Sequence, residues 1–245
     1  MRARLHVFTL VGCVSFAGAC GSKNDDKTQQ GKLDNATFAY LCTDKSAGDP
    51  YCDTVVSNPK FPSIALGAQF FVGAKAAKNG QPTPVYSSSD LRLAITDTGQ
   101  PGPDHFSLES AIAHQAGITS ILADAGDYVD VRVSPVVKMS ITLVAVDAGG
   151  KVAATLGPVK ASAEFSDKTI FLRAAPLDDG GNELGGALPQ TYAWKSSDPT
   201  VVSITSPPNA HIITIDQLKA GVSRLTVTLG DVFAYTDVTV KVSGK

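Results

Sequence analysis

An internal repeat with an offset of 104 residues constrains the fold of this chain more than any other feature of its sequence. Ala116-Gly117-Ile118 returns as Ala220-Gly221-Val222, and Gly126-Asp127 returns as Gly230-Asp231, both at that offset. A unit of about one hundred residues has the size of a whole domain, whereas the repeats of solenoid proteins are much shorter. The repeat therefore predicts two tandem domains of one architecture.

A further repeat lies upstream and indicates where the two copies differ. Ser88-Ser89-Asp90 returns as Ser196-Ser197-Asp198 at an offset of 108, which is four more than the offset of the downstream motifs. We expect the extra residues in a longer loop of the first copy, at residues 99–103, where Gly and Pro cluster. The copies are expected to meet near Ser134-Pro135.

Within each copy, apolar and polar residues alternate, which is typical of half-buried β-strands. Leu225, Val227 and Leu229, for example, share one face of a predicted strand. Apolar residues make up 43% of the chain, enough to fill a core, and β-branched residues dominate the alternating runs. Helical periodicity is weak, and only residues 108–114 are expected to form a short helical turn. The chain is therefore predicted to be all-β, with two tandem antiparallel β-sandwiches.

The first nineteen residues have the layout of an export signal. Arg2 and Arg4 precede a short apolar stretch, Leu5 to Phe16, and the small residues Ala17-Gly18-Ala19 precede Cys20. The apolar stretch is shorter than the roughly 20 residues that a membrane-spanning helix needs. This arrangement resembles the lipobox of bacterial lipoproteins. The resemblance implies a signal peptide at residues 1–19 and a lipid anchor on Cys20.

The lipobox match leaves alternatives open. Ala17 stands where the family usually has Leu, and Leu10-Val11-Gly12-Cys13 fits the motif better but follows a very short apolar stretch. A lipid on Cys13, simple cleavage of the signal, and an uncleaved anchor are therefore alternatives to lipidation of Cys20.

The residues after Cys20 bear on where the protein is held. In Gram-negative lipoproteins, Asp directly after the lipidated Cys tends to retain the protein in the inner membrane. Gly21 stands there instead, so the resemblance implies an outer-membrane lipoprotein that faces the periplasm or the cell surface. Residues 20–35 are polar and predict a flexible tether. The two domains are predicted at residues 36–135 and 136–245.

Cys42 and Cys52 remain after the signal region. An exported chain meets an oxidising compartment, and two cysteines ten residues apart can close a loop around the turn at Asp49-Pro50. A metal site would need two more ligands nearby, and none is evident. The spacing therefore predicts a structural disulfide and no metal.

Four segments of the second copy carry a family resemblance. In order they are Leu177-Asp178-Asp179-Gly180-Gly181-Asn182-Glu183, Tyr192-Ala193-Trp194-Lys195-Ser196-Ser197-Asp198-Pro199, Val201-Val202-Ser203-Ile204, and the Ala220-Gly221-Val222 turn with the strands up to Val242. Together they resemble the bacterial immunoglobulin-like group 2 (BIG2) domain. The first copy has Val85-Tyr86 where Trp would stand, and is interpreted as a diverged relative.

The BIG2 resemblance implies an antiparallel immunoglobulin-like β-sandwich, found in surface adhesins, intimin-like proteins and enzyme accessory regions. Such domains commonly act as spacers or protein-binding modules. Trp194 is expected to be buried in the core rather than to serve as a ligand platform, because its neighbours alternate as on a buried face. Residues 196–199 are expected to form a turn that ends a strand.

Few residues of the sequence suggest a catalytic site or a nucleic-acid-binding surface. The formal net charge is −2, which lacks the basic surface of a nucleic-acid-binding protein. No Gly-x-Ser-x-Gly elbow, phosphate loop or dinucleotide fingerprint is present. The chain is therefore predicted to be no enzyme and to need no cofactor.

Two groups of side chains are candidate metal ligands. Asp178, Asp179, Asn182 and Glu183 form the best acidic cluster, but their spacing differs from that of an EF-hand, so a solvated hairpin turn is favoured over a calcium loop. His105, His114 and His211 are scattered without metal-ligand spacing and are interpreted as surface or chance positions.

These observations favour a membrane-anchored, non-catalytic envelope lipoprotein that serves as a spacer or as a protein-binding or adhesion module. A carbohydrate-binding sandwich is the main alternative and would need an exposed row of aromatic side chains. A subunit of a larger envelope assembly, with sheet edges pairing to partners, and a hydrolase of unrecognised type are further alternatives.

Overall fold

The computed structural model of the chain describes residues 27–43, 48–52, 61–146, 152–165, 169–207 and 210–241. Within these ranges, nearly all of the regular structure consists of β-strands, together with a 3-10 turn at Pro103–His105. The strands form two β-sandwiches, so the predicted fold class is confirmed. Among the described residues, no helix is both long and apolar enough to cross a membrane. The predicted signal peptide and the candidate lipidation sites Cys13 and Cys20 lie outside the described residues.

The first sandwich packs two sheets against each other. One sheet has the order β1-β2-β4-β8-β7, with β5 also paired to β4, and the other has the order β3-β10-β9-β6. Pairing is antiparallel except between β3 and β10, which are parallel. The strands are β1 (Lys27–Gln30), β2 (Ala36–Leu41), β3 (Ser63–Ala65), β4 (Gln69–Ala76), β5 (Pro82–Thr83), β6 (Val85–Ser87), β7 (Leu93–Asp97), β8 (Glu109–Ala113), β9 (Gly117–Ala123) and β10 (Asp127–Ser134).

The second sandwich repeats this arrangement. Its sheets have the orders β12-β11-β14-β18-β17 and β13-β20-β19-β16, and β13 pairs parallel with β20. Strand β15 departs from the repeat, because it pairs with β3 of the first sandwich. The strands are β11 (Lys138–Val146), β12 (Val152–Pro158), β13 (Ser162–Glu164), β14 (Thr169–Leu177), β15 (Leu184–Gly185), β16 (Ala193–Ser196), β17 (Val202–Ile204), β18 (Ile212–Gln217), β19 (Gly221–Leu229) and β20 (Val232–Val240).

The two repeated glycines have the same structural role. Gly117 and Gly221 begin β9 and β19 with φ angles of 135° and 149°, which side chains with a Cβ rarely adopt. A Cβ on Gly221 would also lie 2.9 Å from Val201 Cγ2, and one on Gly117 would lie 3.0 Å from Arg92 Nε. These positions require glycine for backbone reasons, which explains why the motif recurs.

The structure refines the register of the upstream repeat. The amide of Ser88 donates to the carbonyl of Ser120, as the amide of Ser197 donates to that of Arg224. Ser88 is therefore the counterpart of Ser197, at an offset of 109 rather than 108. In the next strands, Leu93 lies opposite Ala113 and Val202 lies opposite Gln217. The offset thus changes from 109 before the loop to 104 after it, and the longer loop of the first copy is confirmed at residues 98–108.

Each sandwich has its own apolar core. The first core contains Phe38, Tyr40, Phe70, Leu93 and Ile121, all nearly inaccessible to solvent. The second core is built around Trp194 and branched aliphatic side chains of β14, β18 and β19. Burial of side chains of this size is worth roughly 1.5–3 kcal/mol each, so two such cores account for two folded units.

Two predictions about secondary structure are wrong in part. Residues 108–114, expected as a helical turn, contain strand β8, because alternate residues such as Ala111 and Ala113 are buried between neighbouring strands. The predicted tether at residues 20–35 also includes strand β1, which pairs antiparallel with β2.

Asp127 stabilises the turn between β1 and β2. Its carboxylate accepts hydrogen bonds from the amides of Leu33, Asn35 and Ala36, each at 2.8 Å.

Candidate functional site

The predicted disulfide between Cys42 and Cys52 is present, with 5.4 Å between the Cα atoms. It closes the connection from β2 towards β3 at the end of the first sandwich that faces the second. Tyr40, Tyr51, Phe61 and Phe70 pack their rings together beside it, with centroid distances of 5.0–6.0 Å to Tyr40. The disulfide therefore lies next to an aromatic cluster of the first core.

Asp49 lies inside the disulfide loop and is buried. Its carboxylate accepts hydrogen bonds from the Tyr40 hydroxyl, from the amide of Tyr51 at 2.9 Å, and from the amide of Gly186 at 3.0 Å. Gly186 belongs to the second sandwich, so this one carboxylate ties the loop, the first core and the second sandwich together. Burial and the Asp49 carboxylate raise the pKa of Tyr40 well above its usual value, so the hydroxyl remains a donor at neutral pH.

The connection between β14 and β16 crosses from the second sandwich to the first. Leu184 and Gly185 form β15, which adds a parallel strand beside Ser63 and Ile64 of β3. Ala187 then exchanges two backbone hydrogen bonds with Gln69, at 2.7 and 2.9 Å. The Leu184 side chain is fully buried in the first core. We call the surface of the first sandwich that receives this segment the socket, defined by Tyr40, Ser63, Ile64 and Gln69.

Arg173 completes the junction from the second sandwich. It lies on β14 with only 2% of its side chain exposed and forms an ion pair with Glu183. Its guanidinium also donates to the carbonyl oxygen of Pro50 at 2.8 Å, within the disulfide loop. A buried guanidinium needs such partners, because an unpaired charge would lose its hydration without compensation.

None of these junction contacts was inferred from the sequence. One signal was available, because Arg173 is a lone charge in the otherwise apolar run Thr169–Leu177. Such a charge predicts a buried partner but does not identify Glu183 or Pro50. The sequence predicts only a turn at Asp49, because the second role of this residue depends on a partner 137 positions away.

The acidic turn Asp178–Glu183 is satisfied by its own groups. The Asp178 carboxylate accepts hydrogen bonds from the amide of Asn182 at 2.7 Å and from its side-chain amide at 3.0 Å, and these bonds lower the pKa of Asp178. Glu183 is directed to Arg173 instead. The turn interpretation is therefore favoured over a calcium loop. Among the described residues, no group of three or more His, Cys, Asp or Glu side chains could hold a metal.

Trp194 is buried in the second core, as predicted, and its indole Nε1 donates to the carbonyl of Ala210 at 3.0 Å. His105 and His114 are exposed. The surface interpretation is wrong for His211, which is buried with its ring 6.0 Å from that of Tyr192. Its burial follows from its place just before β18, where the chain enters the core.

An exposed aromatic pair lies on the outer face of β20. The side chains of Phe233 and Tyr235 are 62% and 44% exposed, and they point to the same side because they are two residues apart. Across the ladder, Arg224 forms a two-point ion pair with Asp237 at 2.7 and 2.8 Å and covers the Tyr235 ring at 4.3 Å. The sequence pattern did not single out this face.

No protein-family model and no curated protein matches the chain. Among solved structures, domains 5–6 of the S-layer protein SbsC share 21% identity over 75% of this chain and 94% of that one, with a TM-score of 0.28. The Yersinia pseudotuberculosis adhesin InvE shares 14% identity over 74% of this chain and 56% of that one, with a TM-score of 0.30. Invasin, a bacterial integrin-binding protein, shares 13% over 72% of this chain and 38% of that one, with a TM-score of 0.28. The resemblance to BIG2 domains therefore rests on the residues of this chain alone.

Proposed function

We propose that the protein is a non-catalytic lipoprotein of the cell envelope, anchored through Cys20, that serves as a spacer or as a protein-binding or adhesion module. The observation that carries this proposal is the junction between the sandwiches. A spacer needs domains that keep a fixed relative orientation, and here a strand, a buried leucine and the hydrogen bond from the buried Arg173 to the Pro50 carbonyl cross from one sandwich to the other. Flexible linkers between domains lack such contacts.

The anchor is tested by the mass of the mature N-terminus. We expect a terminal fragment that begins at Cys20 and carries the added mass of the lipid. Two or three acyl chains give stable anchoring, since each buried CH₂ contributes roughly 0.8 kcal/mol. Cys20→Ser should move the protein from the membrane fraction to the soluble fraction, whereas Cys13→Ser should leave it membrane-bound. A mature chain that starts without a lipid would contradict the anchor but leave the two sandwiches unaffected.

Carbohydrate binding is a second candidate function, favoured by the exposed Phe233 and Tyr235. Aromatic rings on a flat sheet face can stack on the apolar faces of sugars. Arg224 and Asp237 beside them offer hydrogen-bonding groups. Polysaccharide arrays probed with the full chain should then show binding that Phe233→Ala and Tyr235→Ala both abolish. Leu218→Ala, which removes a similarly exposed side chain elsewhere, should bind as the native chain does.

A further inference from the structure

The socket of the first sandwich has a structural counterpart in the second. Among the strands of their own sandwich, β3 and β13 are both edge strands, and both pair parallel with the last strand of that sandwich. Strand β3 receives β15 on its other edge. The other edge of β13 pairs with no strand in the part of the chain that the structure describes.

The register of the inner strands identifies two pairs of counterparts. Gln69 lies opposite Ile112, and Thr169 lies opposite Asp216. Ile112 and Asp216 are separated by 104 residues, the offset between β8 and β18, so Gln69 and Thr169 are counterparts. Three positions further along each strand, Val72 of β4 and Leu172 of β14 are counterparts as well. Val72 lies opposite Tyr40 and Leu172 lies opposite Leu143, so Tyr40 and Leu143 are counterparts.

The edge strands give two more pairs. Val133 lies opposite Gly117 and Val240 lies opposite Gly221, so these valines are counterparts. Ile64 lies opposite Val133. Glu164 lies opposite Thr239, so the next residue, Phe165, takes the position opposite Val240. The counterparts of Ser63 and Ile64 are therefore Glu164 and Phe165.

All four counterparts of the socket residues line one open groove. It has a volume of about 430 Å³ and is bordered by Leu143, Glu164, Phe165 and Thr169, together with Leu156. An adjoining groove of about 350 Å³ shares Leu143, Leu156, Glu164 and Phe165. Leu156 is 62% exposed at this place. Leu143 and Phe165 beside it are half-buried, and apolar side chains grouped in a groove mark binding sites more often than single ones do.

We propose that this groove binds an extended segment of a separate protein partner, which adds a parallel strand to β13 as β15 adds one to β3. The proposal locates protein binding, one part of the proposed function, in this groove. It rests on that part of the proposed function alone. Strand addition supplies backbone hydrogen bonds, and a side-chain pocket beside the edge supplies selectivity.

The segment that fills the socket indicates the chemistry of the partner. It is Leu184-Gly185-Gly186-Ala187, an uncharged run in which one apolar side chain enters the core and small residues allow close approach. A Cβ on Gly185 would lie 2.9 Å from Pro62 Cγ and 3.1 Å from the Tyr40 hydroxyl. We therefore expect an extended, uncharged segment with a leucine-like side chain followed by small residues.

A peptide with the sequence of residues 184–189 and an acetylated N-terminus provides an uncharged probe at that end, because the socket of the same chain is already filled by that segment. The full-length chain with labelled methyl groups is titrated with the peptide and followed by NMR. We expect saturable shifts at the methyl groups of Leu143 and Leu156. A peptide carrying Leu184→Asp should bind at least about tenfold more weakly, because the apolar side chain no longer enters the groove.

Matched variants of the chain separate this groove from general apolar contact. Leu156→Asp should lose the shifts, whereas Leu218→Asp, at a leucine that is 54% exposed outside the groove, should retain them. Absence of saturable shifts, or equal binding by the Leu156→Asp chain, would overturn the proposal. Concentration-dependent shifts of the same methyl groups without peptide would assign the groove to a second copy and overturn the assignment to a separate partner. Each of these results is independent of the lipid at Cys20.

Discussion

At the scale of single residues, Arg173 has partners in both sandwiches. Its guanidinium lies in the apolar interior and contacts Glu183 and the Pro50 carbonyl. Arg173→Ala would leave both partners without their cation. Glu183 is 36% exposed and stays in contact with water, but the Pro50 carbonyl would lose the donor that Arg173 supplies. Because an unsatisfied buried group costs about 1–3 kcal/mol, we expect a clear fall in the urea midpoint of the second sandwich.

The single Trp of the chain, Trp194, reports that transition by fluorescence. Arg224→Ala is the matched control, because Arg224 also forms a two-point ion pair but is half exposed. We expect no measurable change of the midpoint for this variant. Similar shifts for both variants would show that the burial of Arg173 adds nothing.

Glu109 gives the residue-scale prediction for pH. Its carboxyl is buried next to β4 and accepts hydrogen bonds from the Ser107 hydroxyl at 2.9 Å and the Val85 amide at 3.3 Å. Burial raises the pKa of Glu109 from 4.5 to about 7 in spite of these bonds. The folded state then holds a proton that the unfolded state releases, so stability falls as pH rises from about 4.5 to 7 and is constant above that range.

Glu109→Gln removes this titration. Melting temperatures of both chains should be compared between pH 4.5 and 8. We expect the native chain to lose stability relative to Glu109→Gln as pH rises, since groups such as Asp127 contribute equally to both curves. Parallel curves for the two chains would contradict the raised pKa.

At the scale of elements, a strand or a turn can be predicted from the sequence when the residues that determine it are close together in the chain. The alternation in β19 and the glycine at its start are local signals, and the sequence predicts both the strand and the turn. The burial of Trp194 followed from the same alternation. Strand β8 was missed because the short run from Leu108 to His114 also fits a helical turn, and only its neighbours β4 and β7 decide between the two.

The junction was missed for a different reason. Strand β15 is two residues long and carries Gly185, which favours neither strand nor helix. Its pairing with β3 depends on the relative placement of two domains, which no periodicity within one domain encodes. The register of the upstream repeat was displaced by one residue because both copies contain consecutive serines, so identical letters aligned at the wrong offset.

The disulfide loop is one of the elements that link the two sandwiches. Replacing both cysteines, Cys42→Ser with Cys52→Ser, removes a crosslink worth roughly 2–3 kcal/mol by loop-closure entropy. It also frees the loop that holds Asp49 against Gly186. We expect amide hydrogen exchange at Gly186 and Ala187 to accelerate, because their acceptors lie on the loop and on the adjacent β4.

Strand β19 serves as the internal control for this exchange experiment. It lies in the second sandwich without a contact to the disulfide loop among its strand pairs. Its exchange should remain unchanged in the double variant. Equal acceleration at β19 and at Gly186 would show that the disulfide stabilises the chain as a whole and does not act on the junction.

At the scale of the whole molecule, we expect two domains of the same fold to move as one body, because contacts join them at the junction. The sequence predicts the two domains and the disulfide, but a chain with a flexible joint would have the same repeat, the same strands and the same cysteines. What distinguishes the two cases is the set of contacts made by Leu184, Arg173 and Asp49. A fixed joint is the property that a spacer requires and that a flexible pair of modules lacks.

Residual dipolar couplings of the full-length chain in a weakly aligning medium test this joint most directly. We predict that a single alignment tensor fits the backbone couplings of both sandwiches. Leu184→Asp, which places a charge where the leucine enters the first core, should produce two tensors of different magnitude. Two distinct tensors in the native chain would show that the sandwiches move independently, and would contradict the fixed junction on which the proposed spacer role depends.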